Sequence, residues 1–350
     1  LRTLWSWAWS LRQSGEIPAA IEKISELLDE DASTPGQARA RFWRARWRKL
    51  IDDKRFTEDF DWILEQDPTG YYGLITHREL NRSLPPLRPI PATGVESAVD
   101  QRPLDVLRLW SESLALPYDI ELGARSLASQ MNAPQETSRT EFERLARLGS
   151  WAPAIEHFGR VSGVERAEWL KTSADLLFPR PWAPVFSRSA KDANLPVELL
   201  YSISRQESSF RPNARSSADA MGLMQLLPMN AERLSKQHSL PYKSADELAY
   251  PEINVPLAAR LVRELLDMHD GNFVLAVASY NASERYVRRW VERRLSNDAL
   301  EFIEEIPFEE TRGYVRLVIR NYTHYLRQLR PDTGLVFPEW CLQAIQPSTH

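Results

Sequence analysis

The 350-residue sequence holds a single cysteine, Cys341, so neither an internal disulfide framework nor a thiolate metal cluster can be assembled from it. Histidine is nearly as scarce. The six histidines, among them His77, His157 and His238, are too scattered in sequence to suggest a metal site, so no metal and no cofactor is expected. No apolar run reaches the length of a membrane span, which argues against a transmembrane segment. With 44 basic against 48 acidic residues the formal charge is only −4, which favours neither nucleic acid nor an anionic lipid surface as partner. The sequence opens at Leu1 without a signal-peptide pattern, and we expect an exported chain from which that segment has been removed.

What remains is helix-forming material, 12 tryptophans and 24 prolines that punctuate it. From residue 1 to about 82 apolar residues recur at helical spacing, with Pro18, Ala20, Ile21, Ile24, Leu27 and Leu28 on one face and Trp43 and Trp47 a turn apart. These are expected to pair helices around a tryptophan core. Arg39, Arg41, Arg44, Arg46 and Arg48 alternate through the same stretch and read as a solvated flank. Prolines at 85, 86, 89 and 91 break the pattern, so 83–102 reads as an extended connector, with further helices over 103–178. Leu145, Gly149, Ala154, Ile155 and Glu156 repeat the arrangement of Leu11, Gly15, Ala20, Ile21 and Glu22, a weak sign of stacked helix pairs. The expected architecture is all-α, a curved helical-repeat region before a second helical domain over 179–332, with a tail over 333–350 tied down by Phe337 and Trp340.

Chemistry concentrates between Leu195 and Pro228. Val197, Leu200, Ile203 and Ser204 mark the apolar stripe of a helix, and Glu207 continues it. A carboxyl on such a stripe loses water, so its pKa should rise toward that of a general acid. The segment from Arg211 to Gly222 favours turns, and a loop folding back on an acid-bearing helix makes a cleft. Asn254 and Asn272 are read as caps of two later helices, with Pro256 in a first turn. Glu310 and Tyr314 share one face of the last long helix. Asp219 and Glu310 are the available second carboxylates, and nothing in their spacing fixes either opposite Glu207.

Four motifs in order, Glu207-Ser208-Ser209-Phe210, Gly222-Leu223-Met224-Gln225, Ser279-Tyr280-Asn281 and Glu310-Thr311-Arg312-Gly313-Tyr314, resemble the soluble lytic transglycosylases of bacterial cell-wall turnover, in the goose-lysozyme-like superfamily. The resemblance implies a lysozyme-like catalytic domain behind a superhelical arm. It implies cleavage of the β-1,4 bond between N-acetylmuramic acid and N-acetylglucosamine in peptidoglycan, in the periplasm, with a 1,6-anhydro product. Glu207 would be acid and then base. Ser216 would meet the substrate's N-acetyl group, Met224 would line the groove and Gln225 would donate to glycan. Tyr280 would orient the acid, Asn281 would support the sugar site, and Glu310 and Tyr314 would form a second wall. The glycine usual after Ala282 is Ser283 here, which puts the local turn in question. Peptidoglycan strands are the expected partner, with a cell-wall or secretion-complex protein left open. The rival readings are a hydrolytic goose-type lysozyme and an inactive wall-binding or scaffold protein.

Overall fold

A computed structural model describes residues 2–85, 87, 139, 142–143, 146, 149, 151–293, 297–331 and 335–346. Among these residues the architecture is all helical, with only isolated β-bridges at Arg215, Met221 and Leu226. Fifteen α-helices follow in order: α1 Arg2–Gln13, α2 Ile17–Glu30, α3 Thr34–Leu50, α4 Phe56–Gln66, α5 Tyr71–Glu79, α6 Trp151–Arg160, α7 Gly163–Leu177, α8 Ala183–Asp192, α9 Val197–Ser208, α10 Pro228–His238, α11 Pro251–Met268, α12 Phe273–Ala282, α13 Glu284–Glu292, α14 Ala299–Glu305 and α15 Glu309–Leu329. All but the first residues of the expected proline-rich connector lie outside the described residues. So do the helices expected between Pro103 and Met131 and part of the weak repeat.

The chain divides into two compact units. One comprises Leu1–Pro86, Val161–Lys171 and Leu335–Phe337. The other takes the remainder. In the first unit α3 starts where Ser33 caps it, its Oγ accepting from the Gly36 amide, and buries Phe42, Trp43 and Trp47. Trp9 meets Trp43 edge-on at 4.8 Å, and Phe42 packs on Phe60 and Tyr72. The tryptophans are core, as their spacing predicts. The arginine run is not a solvated flank. Arg41, Arg44 and Arg48 turn inward to Asp59 of α4, a fully buried carboxylate, at 3.3, 2.6 and 2.8 Å. Arg39 lies over the Trp5 ring at 3.6 Å. Periodicity missed this because the anion that collects these cations stands on another helix.

The second unit is built on α9, α11, α12 and α15. Residues Phe273 to Ser279 of α12 are all buried, so this helix is apolar on every side and runs through the core. Asn272 caps it, accepting from the Leu275 amide at 3.1 Å. Tyr201 of α9 stacks flat on Phe186 at 4.3 Å and lies against Tyr325 of α15 at 5.3 Å, locking α8, α9 and α15 together. Trp340 donates its indole N–H to the Gly271 carbonyl at 2.9 Å and packs on Phe273, so the described end of the chain is anchored to α12. Two expectations need correction. Helix α11 begins at Pro251 rather than after Asn254, so Pro256 is interior, and Asn254 is fully buried and serves the loop before it.

Candidate active site

Helix α9 ends at Ser208 because Ser209 and Phe210 both turn to positive φ, 51° and 63°, which reverses the chain directly after Glu207. The loop that follows folds back on the helix and is held by side chains. Ser204 and Ser208, one turn apart on α9, donate their hydroxyls to the Leu223 carbonyl at 3.2 and 2.8 Å. Asn254 donates to the Met221 carbonyl and accepts from the Met224 amide, both at 2.9 Å. Gly222 sits at φ 79°, where a Cβ would lie 2.1 Å from the Leu248 carbonyl and 2.3 Å from Asn254. Only glycine fits there. Serine in the apolar stripe of α9 was the sequence signal for this clamp. Asn254 gave none beyond being an asparagine near a helix start.

The Glu207 side chain is half-buried at the end of α9, and its Oε1 accepts a 2.6 Å hydrogen bond from the Tyr314 hydroxyl of α15. Burial raises its pKa to about 7; the Tyr314 hydrogen bond acts the other way, and the nearby Glu310 carboxylate adds to the rise. Burial, joined by the charge of Glu207, also holds the phenols of Tyr280 and Tyr314 well above their usual range, so both keep their protons. Tyr280 donates to the Met224 carbonyl at 2.7 Å. Asn281 accepts from Thr311 at 2.6 Å, which ties the end of α12 to the start of α15. One carboxyl therefore sits at near-neutral pKa among tyrosines, on three helices and a clamped loop. Such a group can release and recover a proton near pH 7.

Residues 184–303 match the family model described as the Transglycosylase SLT domain. This part of the chain belongs to the lytic transglycosylase family. A candidate soluble lytic murein transglycosylase of Haemophilus influenzae is 30% identical over 292 residues, which is 81% of this chain and 46% of that protein. The soluble lytic murein transglycosylase of Escherichia coli K12 is 28% identical over 310 residues, 86% of this chain and 45% of its own. The X-ray structure of an inactive mutant of the lytic transglycosylase Slt from Pseudomonas aeruginosa superposes with a TM-score of 0.69 at 26% identity, covering 95% of this chain and 53% of that one. The chain thus spans about half the length of the curated relatives it matches.

Within and just beyond the SLT match several side chains stand differently from what the motifs led us to expect. Tyr314, not Tyr280, touches the acid; Tyr280 braces the loop instead. The Met224 side chain is fully buried, so it belongs to the core rather than the groove wall, and its backbone is what the site uses. Both amide hydrogens of Gln225 go to loop carbonyls, Ala214 and Gly222 at 3.0 Å, so the expected donor is spent and its Oε1 is what can face a ligand. Ser216 is exposed and its Oγ accepts from the Ala218 and Ala220 amides, a turn in which its hydroxyl hydrogen remains to donate. Asp219 is exposed and paired with Arg215 at 2.5 Å, while Glu310 is exposed on the first turn of α15. Ser283 adopts φ 70°, ψ 146°, a conformation glycine takes freely, so the turn is kept at some backbone strain. Among the described residues no group of three or more His, Cys, Asp or Glu could hold a metal ion, and no helix is long and apolar enough to cross a membrane.

Proposed function

We propose that the chain is the part of a peptidoglycan lytic transglycosylase that cleaves the β-1,4 bond between N-acetylmuramic acid and N-acetylglucosamine, with residues 179–332 as the catalytic domain behind a helical arm. The observation that carries this is the Glu207 carboxyl, half-buried, at a pKa of about 7 and held by a single tyrosine hydroxyl. Protonated, it gives its proton to the glycosidic oxygen as the bond from that oxygen to C1 of the muramic residue breaks. Positive character builds on that sugar, and its own N-acetyl group stabilises it. Glu207, now a carboxylate, accepts the proton of the 6-hydroxyl as that oxygen bonds to C1. The product is a 1,6-anhydro sugar, and no water is consumed.

Tyr314 serves the first half, since a hydrogen bond donated to the carboxylate stabilises it more than the acid and so eases release of the proton. Ser216, Gln225 and Asn281 are assigned to the glycan, with Glu310 and Tyr314 as the facing wall. The Met224 and Tyr280 hydrogen bonds support a positioning role for that pair. Peptidoglycan as substrate supports a periplasmic place of action. Mass spectrometry of purified sacculi digested by the protein tests the reading. Muropeptides lighter by one water than the hydrolysis products support it; products that have gained water make the protein a lysozyme-type hydrolase; undigested sacculi end the enzyme claim.

A further inference from the structure

We propose that Tyr286 and Phe308 form a stacking shelf for a sugar ring of the glycan strand, beyond the rings held at Glu207; the inference rests on the proposed function. The two residues are 43% and 42% exposed, on a surface where large aromatic residues are normally covered. Their rings meet edge to face at 5.1 Å, and Phe308 rests on Trp290 at 5.2 Å, which is itself buried. The result is a rigid aromatic corner with a fixed floor. Rings so supported lose little conformational freedom on binding.

The occupant follows from where the corner stands. Tyr286 comes five residues after Asn281 and Phe308 three before Thr311, and the Asn281–Thr311 hydrogen bond joins those two ends at 2.6 Å. Phe308 caps the helix that carries Glu310 and Tyr314. It precedes Tyr314 by six residues, roughly 9 Å along a helix axis. The shelf thus stands at the joined ends of the elements that carry Asn281, Glu310 and Tyr314, displaced from Tyr314 along the axis of α15 by more than one sugar ring. A pyranose has an apolar C–H face and hydroxyls around its rim. An exposed aromatic ring takes that face while leaving the rim in water, the same division of apolar body and wet edge that places aromatic residues at interfaces. A longer strand should therefore reach a contact that a shorter one does not.

The test is calorimetric titration of the Glu207→Gln protein with N-acetylglucosamine oligomers of increasing length, alone and with Tyr286→Ala, Phe308→Ala or Tyr286→Trp added. The expected result is affinity that grows with oligomer length, with the growth cut about fivefold by either alanine and kept by tryptophan. Length dependence that survives both alanine variants overturns the shelf and leaves the proposed function standing. An equal loss for short and long oligomers also overturns it, because the residues would then belong to the central site. If Glu207→Gln binds no oligomer of any length, the shelf and the proposed function fall together.

Discussion

Among the carboxyls that the described residues withdraw from solvent, Asp59 in one compact unit and Glu207 in the other are treated in opposite ways. Asp59 is surrounded by three guanidiniums, from Arg41, Arg44 and Arg48, each within 3.3 Å. Glu207 receives one hydrogen bond from a neutral phenol and has another carboxylate, Glu310, nearby. A carboxylate ringed by cations is an anchor for helices. A carboxyl denied a cation and denied water holds its proton up to neutral pH, which is the state a general acid needs. The arginines of the first unit are the material that the second unit withholds from its acid.

The largest break in this comparison comes from Glu207→Gln. The amide keeps the volume and most of the hydrogen bonding but carries no transferable proton, so cleavage of peptidoglycan should fall by about 10²–10⁴-fold. Turbidity loss of sacculi measures it, and a variant that clears them at the parent rate removes Glu207 from the chemistry. Asp59→Asn should leave the chemistry alone and strike the fold. It leaves three arginines converging on a neutral group, each more than three-quarters buried, and should cost about 3–5 kcal/mol. Urea unfolding followed by tryptophan emission reads this in the first unit, where Trp9, Trp43 and Trp47 cluster. A cost near zero would mean that the cation cluster relaxes into solvent.

The same contrast has a pH signature. The folded pKa of Glu207, about 7, lies above its ordinary value of 4.5, so the folded chain holds this proton where the unfolded chain has lost it. Its contribution to stability is complete below about pH 4.5 and falls as pH rises through 7. Glutamine is neutral throughout. Glu207→Gln should therefore match the parent below about pH 4.5 and exceed it above pH 7, by up to roughly 3 kcal/mol. Denaturant midpoints at the two pH values decide it. Equal midpoints at both would show that the carboxyl is better hydrated than its surroundings imply.

How much of this was legible beforehand follows from what periodicity can encode. It gives the face of a helix, and so it found the tryptophan core of α3, the cap at Asn272 and the acid on the stripe of α9. It does not give the partner across the chain. Glu207 and Tyr314 are 107 residues apart, and the tyrosine that orients the acid was sought at 280 instead. The arginine run shows the same limit, since alternate residues on a helix point in different directions and only Asp59 tells which ones turn inward. Gln225 and Asn254 were legible as polar residues near a site. That their amides serve the loop backbone depends on the fold of 211–227, where Asp219, Gly222 and Gln225 all take positive φ and expose the carbonyls those amides satisfy.

The finest test concerns the two neighbours that pull Glu207 in opposite directions. The Tyr314 hydroxyl favours the carboxylate, so Tyr314→Phe should move the alkaline limb of kcat/KM to higher pH by about one pH unit while slowing proton donation in the first half-reaction. Glu310 disfavours the carboxylate through its like charge, so Glu310→Gln should move the limb to lower pH. The second effect should be the smaller, since Glu310 is exposed and its field is screened, and it should shrink further in concentrated salt while the Tyr314 effect does not. A salt-independent shift in Glu310→Gln would assign Glu310 a direct contact with the substrate or the acid rather than action through space. The pH profiles of the two variants at low and high ionic strength therefore separate a hydrogen bond from a field at the one carboxyl on which the proposed chemistry turns.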